Sequence, residues 1–176
     1  MVVLHYQFES IHPFYDGNGR TGRILNLLHL VLHGLLDLPA LNLSRYIVRH
    51  KADYYRGLRA VRESAAWEEW VMFMLRAVEE TSVETIGKIR GIRSLMQETK
   101  QRLRRDLPKL YSQDLLNSLF RHPYTKIEFI ERDFDVSRPT TMRYLAQLEK
   151  AGLVRKTKRG RTNFYINEAL ISLLGG

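Results

Sequence analysis

The apolar residues near the start of the chain recur at three- and four-residue spacing, which predicts two amphipathic helices. The first helix is expected to end near Pro13. The second is expected to run from about Arg20 to Leu32, with Gly34 as its C-terminal stop. The residues expected on the buried sides of these helices are Leu4, Phe8, Ile11, Ile24, Leu27, Leu28, Val31 and Leu32. A short glycine-rich segment separates the two helices.

The helical pattern resumes after a short connector. Ser44 is expected to cap a helix that runs past Tyr54. Apolar spacing then predicts one long helix from Trp67 to about Leu107. Pro108 cannot continue a helix, so it marks the expected boundary between two domains.

After Pro108 the pattern changes to a mixture of helices and strands. The predicted elements are helices near residues 115–120 and 127–132, a third helix from Ser137 to Gly152, and strands at 153–157 and 162–166. The tip between the strands, residues 158–161, contains Gly160, which tolerates the positive φ of a tight turn. Three helices followed by a β-hairpin are typical of a winged helix-turn-helix.

The sequence therefore predicts a mainly α fold. Residues 1–80 form a helical core, residues 81–108 a helical linker, and residues 109–176 a winged helix-turn-helix domain with a small β-hairpin. The chain contains no cysteine, which excludes a disulfide framework and a cysteine nucleophile and fits a reducing cytoplasm. No segment has the pattern of a signal peptide or a membrane span, so we expect a cytoplasmic protein without membrane contact.

The chain is basic, with a formal net charge of +9, which favours an anionic partner. Much of this charge lies in residues 138–161, where Glu149 is the single acidic residue. If this domain binds DNA, the residues expected to contact it are Arg138, Thr140, Thr141, Arg143, Lys158, Arg159 and Arg161. A winged helix used for protein contacts or dimerisation is an equal alternative.

The glycine-rich segment between the first two helices combines features that suit a phosphate chain. Gly17-Asn18-Gly19 leads into a helix N-terminus, where free backbone N–H groups favour an anion. Arg20 and Arg23 lie three residues apart, so both can face the same phosphates. Asp16 supplies a hard oxygen ligand that suits Mg²⁺, and His12 can accept a proton near neutral pH.

Residues 12–23, His-Pro-Phe-Tyr-Asp-Gly-Asn-Gly-Arg-Thr-Gly-Arg, match the signature His-x-Phe-x-(Asp/Glu)-Gly-Asn-Gly-Arg-x-x-Arg at every defined position. In this the chain resembles the Fic (filamentation induced by cAMP) family of protein adenylyltransferases. The resemblance implies transfer of AMP from ATP to a Ser, Thr or Tyr hydroxyl of a target protein. It makes His12 the general base, Asp16 the Mg²⁺ ligand and Phe14 a core anchor of the loop. The residues it implies for phosphate binding are Gly17, Asn18, Gly19, Arg20 and Arg23.

The resemblance extends from Met1 to about Val78, which corresponds to the second half of a Fic domain. Within it Tyr54 and Tyr55 resemble an aromatic pair that flanks the adenine and ribose in relatives, although simple packing is an equal alternative. Family members carry preceding helices and a flap that are not found in these residues. The inhibitory motif of some relatives has only an imperfect match, Ser94 to Thr99. We therefore expect weak AMP transfer by this chain alone, and exposed apolar surface that favours self-association, for example as a homodimer.

Two alternatives stay open at the level of sequence. The chain could be a winged-helix DNA-binding regulator whose Fic segment is vestigial or senses a nucleotide. The donor could also be another nucleotide or a phosphocholine compound, because the motif recognises the phosphate chain better than the base.

Overall fold

The computed structural model describes residues 1–175, and the chain divides between Gly87 and Lys88 into two compact units. Its helices are α1 (Val2–Ile11), α2 (Asn18–Leu32), α3 (Leu43–Arg49), α4 (Lys51–Ser64), α5 (Trp67–Asp106), α6 (Gln113–Arg121), α7 (Ile127–Phe134), α8 (Arg138–Lys150) and α9 (Glu168–Gly175). Its strands are β1 (Tyr124–Thr125), β2 (Arg155–Arg159) and β3 (Thr162–Ile166). The prediction of a mainly α fold is confirmed. Within residues 1–175, no helix is long and apolar enough to span a bilayer.

The core of the first unit is built around two fully buried side chains of α5, Trp70 and Met74. Tyr54 of α4 packs against Trp70 with its ring centroid 5.6 Å away. Gly57, one turn further along α4, leaves room for the indole, because a Cβ there would lie 2.9 Å from Trp70 Cε3. The tight fit of α4 against α5 follows from this glycine.

The buried sides of α1 and α2 differ from the prediction. The buried residues of α2 are Asn18, Gly22, Asn26 and Leu30, which repeat every four positions and therefore form one stripe. Its leucine-rich side is exposed instead, for example Leu28 at 51 % and Leu32 at 81 %. In α1 the fully buried residue is His5, and Ile11 is exposed. The predicted helices are present, but α1 and α2 pack against each other through small and polar residues rather than through the predicted apolar sides.

The start of α3 also corrects a prediction. The side chain of Asn42 caps this helix by accepting a hydrogen bond from Arg45 N at 3.2 Å, so Ser44 is not the cap. Ser44 lies in the first turn of α3, and its hydroxyl accepts a hydrogen bond from Arg23. The expected single helix past Tyr54 is divided at His50, where the backbone leaves helical geometry (φ −112°, ψ 39°) before α4 begins.

The second unit has its own apolar core. The long helix α5 ends at Asp106, close to the predicted position. Its buried Leu103 packs with Leu116 of α6, Ile130 of α7, and Leu145 and Leu148 of α8. The amphipathic periods of four separate helices thus converge on one cluster.

A three-stranded antiparallel sheet in the order β1-β3-β2 completes the second unit. Phe164 of β3 pairs with Thr157 of β2, and the turn between these strands contains Gly160 at φ 59°. The order of three helices and a hairpin agrees with the sequence prediction. The two-residue strand β1 and the helix α9, which Asn167 caps through Leu170 N, were not predicted.

Candidate active site

The candidate site lies where α1 ends and α2 begins. His12 occupies the C-terminal cap of α1 in the left-handed region (φ 50°, ψ 56°), and its N–H donates to Phe8 O at 3.0 Å. Gly17 is the N-cap of α2 at φ 87°, a conformation that suits glycine. Two left-handed residues therefore bound the loop and turn the chain so that the histidine and the helix N-terminus belong to one short segment.

The side chain of Asn18 holds this loop in place through two hydrogen bonds. Its Oδ1 accepts from Phe14 N at 2.9 Å, and its Nδ2 donates to Phe14 O at 2.5 Å. The side chain is buried, so its amide is committed to the loop backbone. The implied reach of Asn18 towards a phosphate is replaced here by a positioning role. Phe14 is 50 % exposed and lies beside Phe8, so it is not the core anchor that the resemblance implied.

Asp16 and Arg20 form an exposed ion pair beside the loop. Asp16 Oδ2 accepts from Arg20 Nη2 at 3.0 Å, and Asp16 Oδ1 accepts from Gly17 N at 2.7 Å. The side chains are 90 % and 72 % exposed, so solvent screens this pair strongly. Both groups are therefore available to a ligand at small cost.

The fit of this loop to Mg²⁺ can be judged from its donor atoms. Within residues 1–175, no group of three or more His, Cys, Asp or Glu could hold a metal by itself. Mg²⁺ in phosphate-binding sites commonly uses one or two carboxylates together with substrate phosphates and water. The exposed carboxylate of Asp16 fits that mode of binding, in which the nucleotide supplies the other oxygen ligands.

Arg23 is held more firmly than Arg20. Its Nε donates to Ser44 Oγ at 2.8 Å, and it is half-buried. Its Nη1 lies 3.0 Å from the position that a Cβ on Gly19 would take, so the guanidinium lies over the loop backbone. An open hollow of about 210 Å³ is lined by Arg20, Arg23, Ser44 and apolar residues that include Leu41 and Leu43. Both arginines and a serine hydroxyl thus face one space.

Beneath the loop, α1 and α2 touch at Gly22. A Cβ on Gly22 would lie 2.6 Å from Glu9 Oε1 and 3.1 Å from His5 Nδ1, so only glycine allows this approach. His5 Nε2 and the Tyr54 hydroxyl are 2.9 Å apart, and the imidazole stacks on Trp70 at 6.1 Å. This polar layer fixes the spacing between the helix that carries His12 and the helix that carries the arginines.

Burial perturbs the titration of this layer. It lowers the pKa of His5 to about 4, and it raises the pKa of Glu9 against the opposing charges of Arg23 and His12. For His5 the unfolded chain binds a proton near pH 6.5, whereas the folded chain does so only near pH 4. The stabilisation from neutral His5 is therefore complete above pH 6.5 and is lost as the pH falls through this window.

The two predicted aromatic residues are placed differently. Tyr54 is 4 % exposed and belongs to the core, so it does not flank a nucleotide, and burial raises the pKa of its phenol. Tyr55 is 55 % exposed and meets Tyr54 edge to face at 5.3 Å. It lines an open groove of about 400 Å³ together with Tyr6, Glu9, Ser10, Leu58, Arg59 and Arg62. Of the pair, only Tyr55 is accessible to a base or ribose.

The basic residues of the second unit are mostly at its surface. Arg143, Lys158, Arg159 and Arg161 are exposed, and Thr140 is half-buried with its hydroxyl 3.1 Å from Ser137 Oγ. Arg138 lies 3.8 Å from Glu131 and 3.9 Å from Glu128, which partly neutralise it.

Thr141 is the exception, because it is fully buried on the core side of α8. The expectation that it faces a DNA groove is therefore replaced by a packing role.

Comparison with known protein families finds one match in each unit. Residues 1–30 match the model of the Fic/DOC family, and residues 95–170 match that of the C-terminal domain of SoFic-like protein adenylyltransferases. The first of these segments resembles the Fic/DOC family, and the second resembles a domain of SoFic-like protein adenylyltransferases. The match over residues 1–30 contains the complete Fic motif, from His12 to Arg23.

Two curated relatives are named as protein adenylyltransferases. A probable protein adenylyltransferase of Aquifex aeolicus is 52 % identical over 46 residues, which are 26 % of this chain and 14 % of that protein. The protein adenylyltransferase Fic of Nematostella vectensis is 34 % identical over 80 residues, which are 46 % of this chain and 17 % of that protein. The aligned part of this chain thus spans less than a fifth of the length of each relative.

Sequence reasoning missed the roles of Ser44, His5 and Glu9. His5 and Glu9 are spaced by four residues and therefore share one side of α1, which was a usable signal. The contact of Ser44 with Arg23 joins residues 21 positions apart, and no local pattern indicates it.

Proposed function

We propose that this chain contributes the catalytic centre of a protein adenylyltransferase, which transfers AMP from ATP to a Ser, Thr or Tyr hydroxyl of a target protein. One observation carries the proposal. The exposed His12 ends α1, and α2 begins a few residues later with Arg20 and Arg23 near its N-terminus. Asn18 holds the loop between the two helices in place through its hydrogen bonds to Phe14. The names of the relatives support the same reaction.

In the proposed step His12 accepts the proton of the target hydroxyl. The hydroxyl oxygen forms a bond to the α-phosphorus of ATP, and the bond from that phosphorus to the bridging oxygen of pyrophosphate breaks. Pyrophosphate leaves with the electron pair of that bond, and the target keeps a phosphodiester-linked AMP. The exposure of His12 at the end of α1 supports this role, because an incoming side chain can reach the imidazole.

Charge neutralisation supplies the rest of the chemistry. The first backbone N–H groups of α2 have no partner within the helix and favour phosphate oxygens. Arg20 and Arg23 add positive charge near the start of α2, whose first turn contains no acidic residue. The exposed pair of Arg20 with Asp16 is the one competing contact described above. Asp16 would hold Mg²⁺, which supplies a Lewis acid on the phosphate chain when bound.

The accessible part of the site favours the phosphate chain over the base. The loop, Arg20 and Arg23 all serve phosphates, whereas Tyr55 is the accessible residue of the predicted aromatic pair. ATP is the proposed donor. The choice of donor is tested by measuring how well unlabelled ATP, GTP, CTP and a phosphocholine donor each compete with labelled ATP for the site. Competition by GTP as strong as that by unlabelled ATP would contradict ATP as the donor.

Radiolabel transfer tests the reaction. The chain is incubated with Mg²⁺, a cell lysate as a source of targets and ATP labelled on the α-phosphate. We expect labelled protein bands that disappear in His12→Ala and persist in His33→Ala, a matched change of another exposed histidine. ATP labelled on the γ-phosphate should give no His12-dependent bands, since pyrophosphate carries that label away. His12-dependent bands from the γ-label, or α-label bands that need the chain but survive in His12→Ala, would refute adenylyl transfer at this site.

A second candidate function concerns the second unit, for which we propose a winged helix-turn-helix that binds duplex DNA. Two observations favour it. Only residues 135–137 separate α7 from α8, and Asp135 is left-handed at φ 50°, as suits a tight turn between two helices. The hairpin of β2 and β3 is basic and exposed, with Lys158, Arg159 and Arg161 near its tip.

Salt dependence of duplex binding tests this candidate. Changing Lys158, Arg159 and Arg161 to Ala should weaken binding and lower the slope of log K against log salt by about one for each DNA phosphate that the variant no longer neutralises. Arg93→Ala, which removes an exposed arginine of α5, is the matched control. No duplex binding by the unchanged chain at low salt would rule out this candidate and leave the proposed enzyme reaction unaffected.

A further inference from the structure

Arg23 is the arginine of the motif whose position is determined by its neighbours. One contact is with Ser44, whose Oγ accepts from Arg23 Nε at 2.8 Å. The other is with the loop, because Nη1 occupies the space above Gly19 where a side chain would otherwise begin. Arg20 differs, since its side chain is 72 % exposed and pairs with Asp16. An anion that enters the site therefore meets one exposed arginine, paired with Asp16, and one arginine that Ser44 and the loop orient.

Ser44 has no capping task that would explain its position. The cap of α3 is Asn42, which accepts from Arg45 N. The Ser44 hydroxyl instead lines the same hollow as Arg20 and Arg23, where the neighbouring Leu41 and Leu43 are almost fully buried. The Ser44 hydroxyl and both arginine side chains therefore line one open hollow together with apolar residues.

The geometry of a guanidinium gives this contact a consequence. A guanidinium has five N–H donors in a rigid planar fork. When Nε is committed to Ser44, the fork can present Nη1 and Nη2 together to an anion, and the orientation of that edge is fixed. The Ser44 hydroxyl accepts through its oxygen and keeps its own O–H to donate to the same anion.

We propose that Ser44 is a positioning residue that orients Arg23 towards the terminal phosphates of the nucleotide. The inference rests on the proposed function, because it requires a nucleoside triphosphate at this loop. Removal of the Ser44 hydroxyl should weaken recognition of the β- and γ-phosphates and leave recognition of AMP unchanged. A purely structural role would change the affinities for ATP and AMP together.

Affinities for Mg·ATP and for AMP, measured by calorimetry on the full chain, test the inference. Ser44→Ala should weaken ATP binding by about 3- to 10-fold, the range that corresponds to one net hydrogen bond. The AMP affinity should stay unchanged. Ser44→Thr keeps the hydroxyl and should restore ATP binding. Ser64→Ala, the matched control, removes a serine that donates to Ala60 O at 2.9 Å in the same unit, and it should change neither affinity.

A double-mutant cycle keeps the test decisive if Ser44→Ala also perturbs folding. Lysine has no Nε–H, so in an Arg23→Lys background Ser44→Ala should have no further effect on the ratio of ATP to AMP affinity. An unchanged ratio in Ser44→Ala alone, or an equal effect in both backgrounds, would overturn the role of Ser44. If the unchanged chain does not prefer ATP to AMP, the proposed function fails as well.

Discussion

Replacement of Gly22 by Ala should separate the two helices that carry the candidate site. The new Cβ would lie 2.6 Å from Glu9 Oε1 and 3.1 Å from His5 Cε1 and Nδ1. Glu9 Oε1 is the end of a flexible side chain and can move away. His5 cannot move as easily, because it is fully buried, lies 2.9 Å from the Tyr54 hydroxyl and stacks on Trp70. The imidazole must therefore shift by a few tenths of an ångström, or α1 must move.

Two opposing effects set the magnitude. Alanine is favoured over glycine in a helix interior by about 0.5–1 kcal/mol. Overpacking of a close contact costs about 1–3 kcal/mol. We expect a net loss of about 1 kcal/mol in the free energy of unfolding of the first unit. Gly87→Ala makes the same replacement in α5 with nothing within 4 Å, so it should give the propensity gain alone. The two variants should therefore differ by about 2 kcal/mol.

Urea unfolding followed by tryptophan fluorescence measures this difference. The two tryptophans of the chain, Trp67 and Trp70, both lie in the first unit, so the signal reports on that unit. With a denaturant dependence of about 2 kcal/mol per molar urea, the midpoints of Gly22→Ala and Gly87→Ala should differ by about 1 M. Equal midpoints, or a higher midpoint for Gly22→Ala, would show that the close approach of α1 and α2 at Gly22 is not a constraint.

Three further predictions use the same unit. Its free energy of unfolding should fall by up to about 3 kcal/mol as the pH is lowered from 6.5 towards 4, because folded His5 resists protonation. The urea midpoint should fall with it, and His5→Gln should flatten this dependence. Tyr54→Phe leaves His5 Nε2 without its hydrogen-bond partner and should lower the free energy of unfolding by about 1–2 kcal/mol without changing ATP affinity. Tyr55→Phe, at an exposed position, should leave the free energy of unfolding unchanged. Sedimentation should show self-association of the chain that Leu28→Glu and Leu32→Glu reduce; an unchanged sedimentation profile would contradict a role for this exposed side of α2.

The sequence predicted helices and strands well where nearby residues alone determine them. The long helix from Trp67 ends within one residue of its predicted end, because Pro108 stops it. The strand at residues 162–166 is confirmed as β3. The strand β1 has only two residues and exists through pairing of Tyr124 with Ile166, 42 positions away, so a local pattern could not reveal it.

The candidate site was predictable in composition but not in arrangement. The motif located the loop, and the structure joins His12, Asp16, Arg20 and Arg23 around it. Periodicity identified the apolar side of α2 but could not show that the helix packs through Asn18, Gly22 and Asn26. Tyr54 was ambiguous because tyrosine serves both packing and recognition, and only its contact with His5 decides between them.

The two arginines near the start of α2 would bind a phosphate chain in different ways. Arg20 and Asp16 form an exposed pair spaced by four residues, and pairs of this kind contribute only about 0.3–0.5 kcal/mol. A nucleotide with its metal ion can therefore exchange that pair for contacts with the phosphates at little cost.

Arg23 is already oriented by Ser44, and the loop is already fastened by Asn18, so neither has to be ordered when the ligand binds. Preorganisation of this kind favours transfer chemistry, because the charge that stabilises the transition state is in place before the reaction begins. The same loop would then have one adaptable edge, at Asp16 and Arg20, for admitting the nucleotide, and one fixed edge, at Arg23, for aligning it with His12.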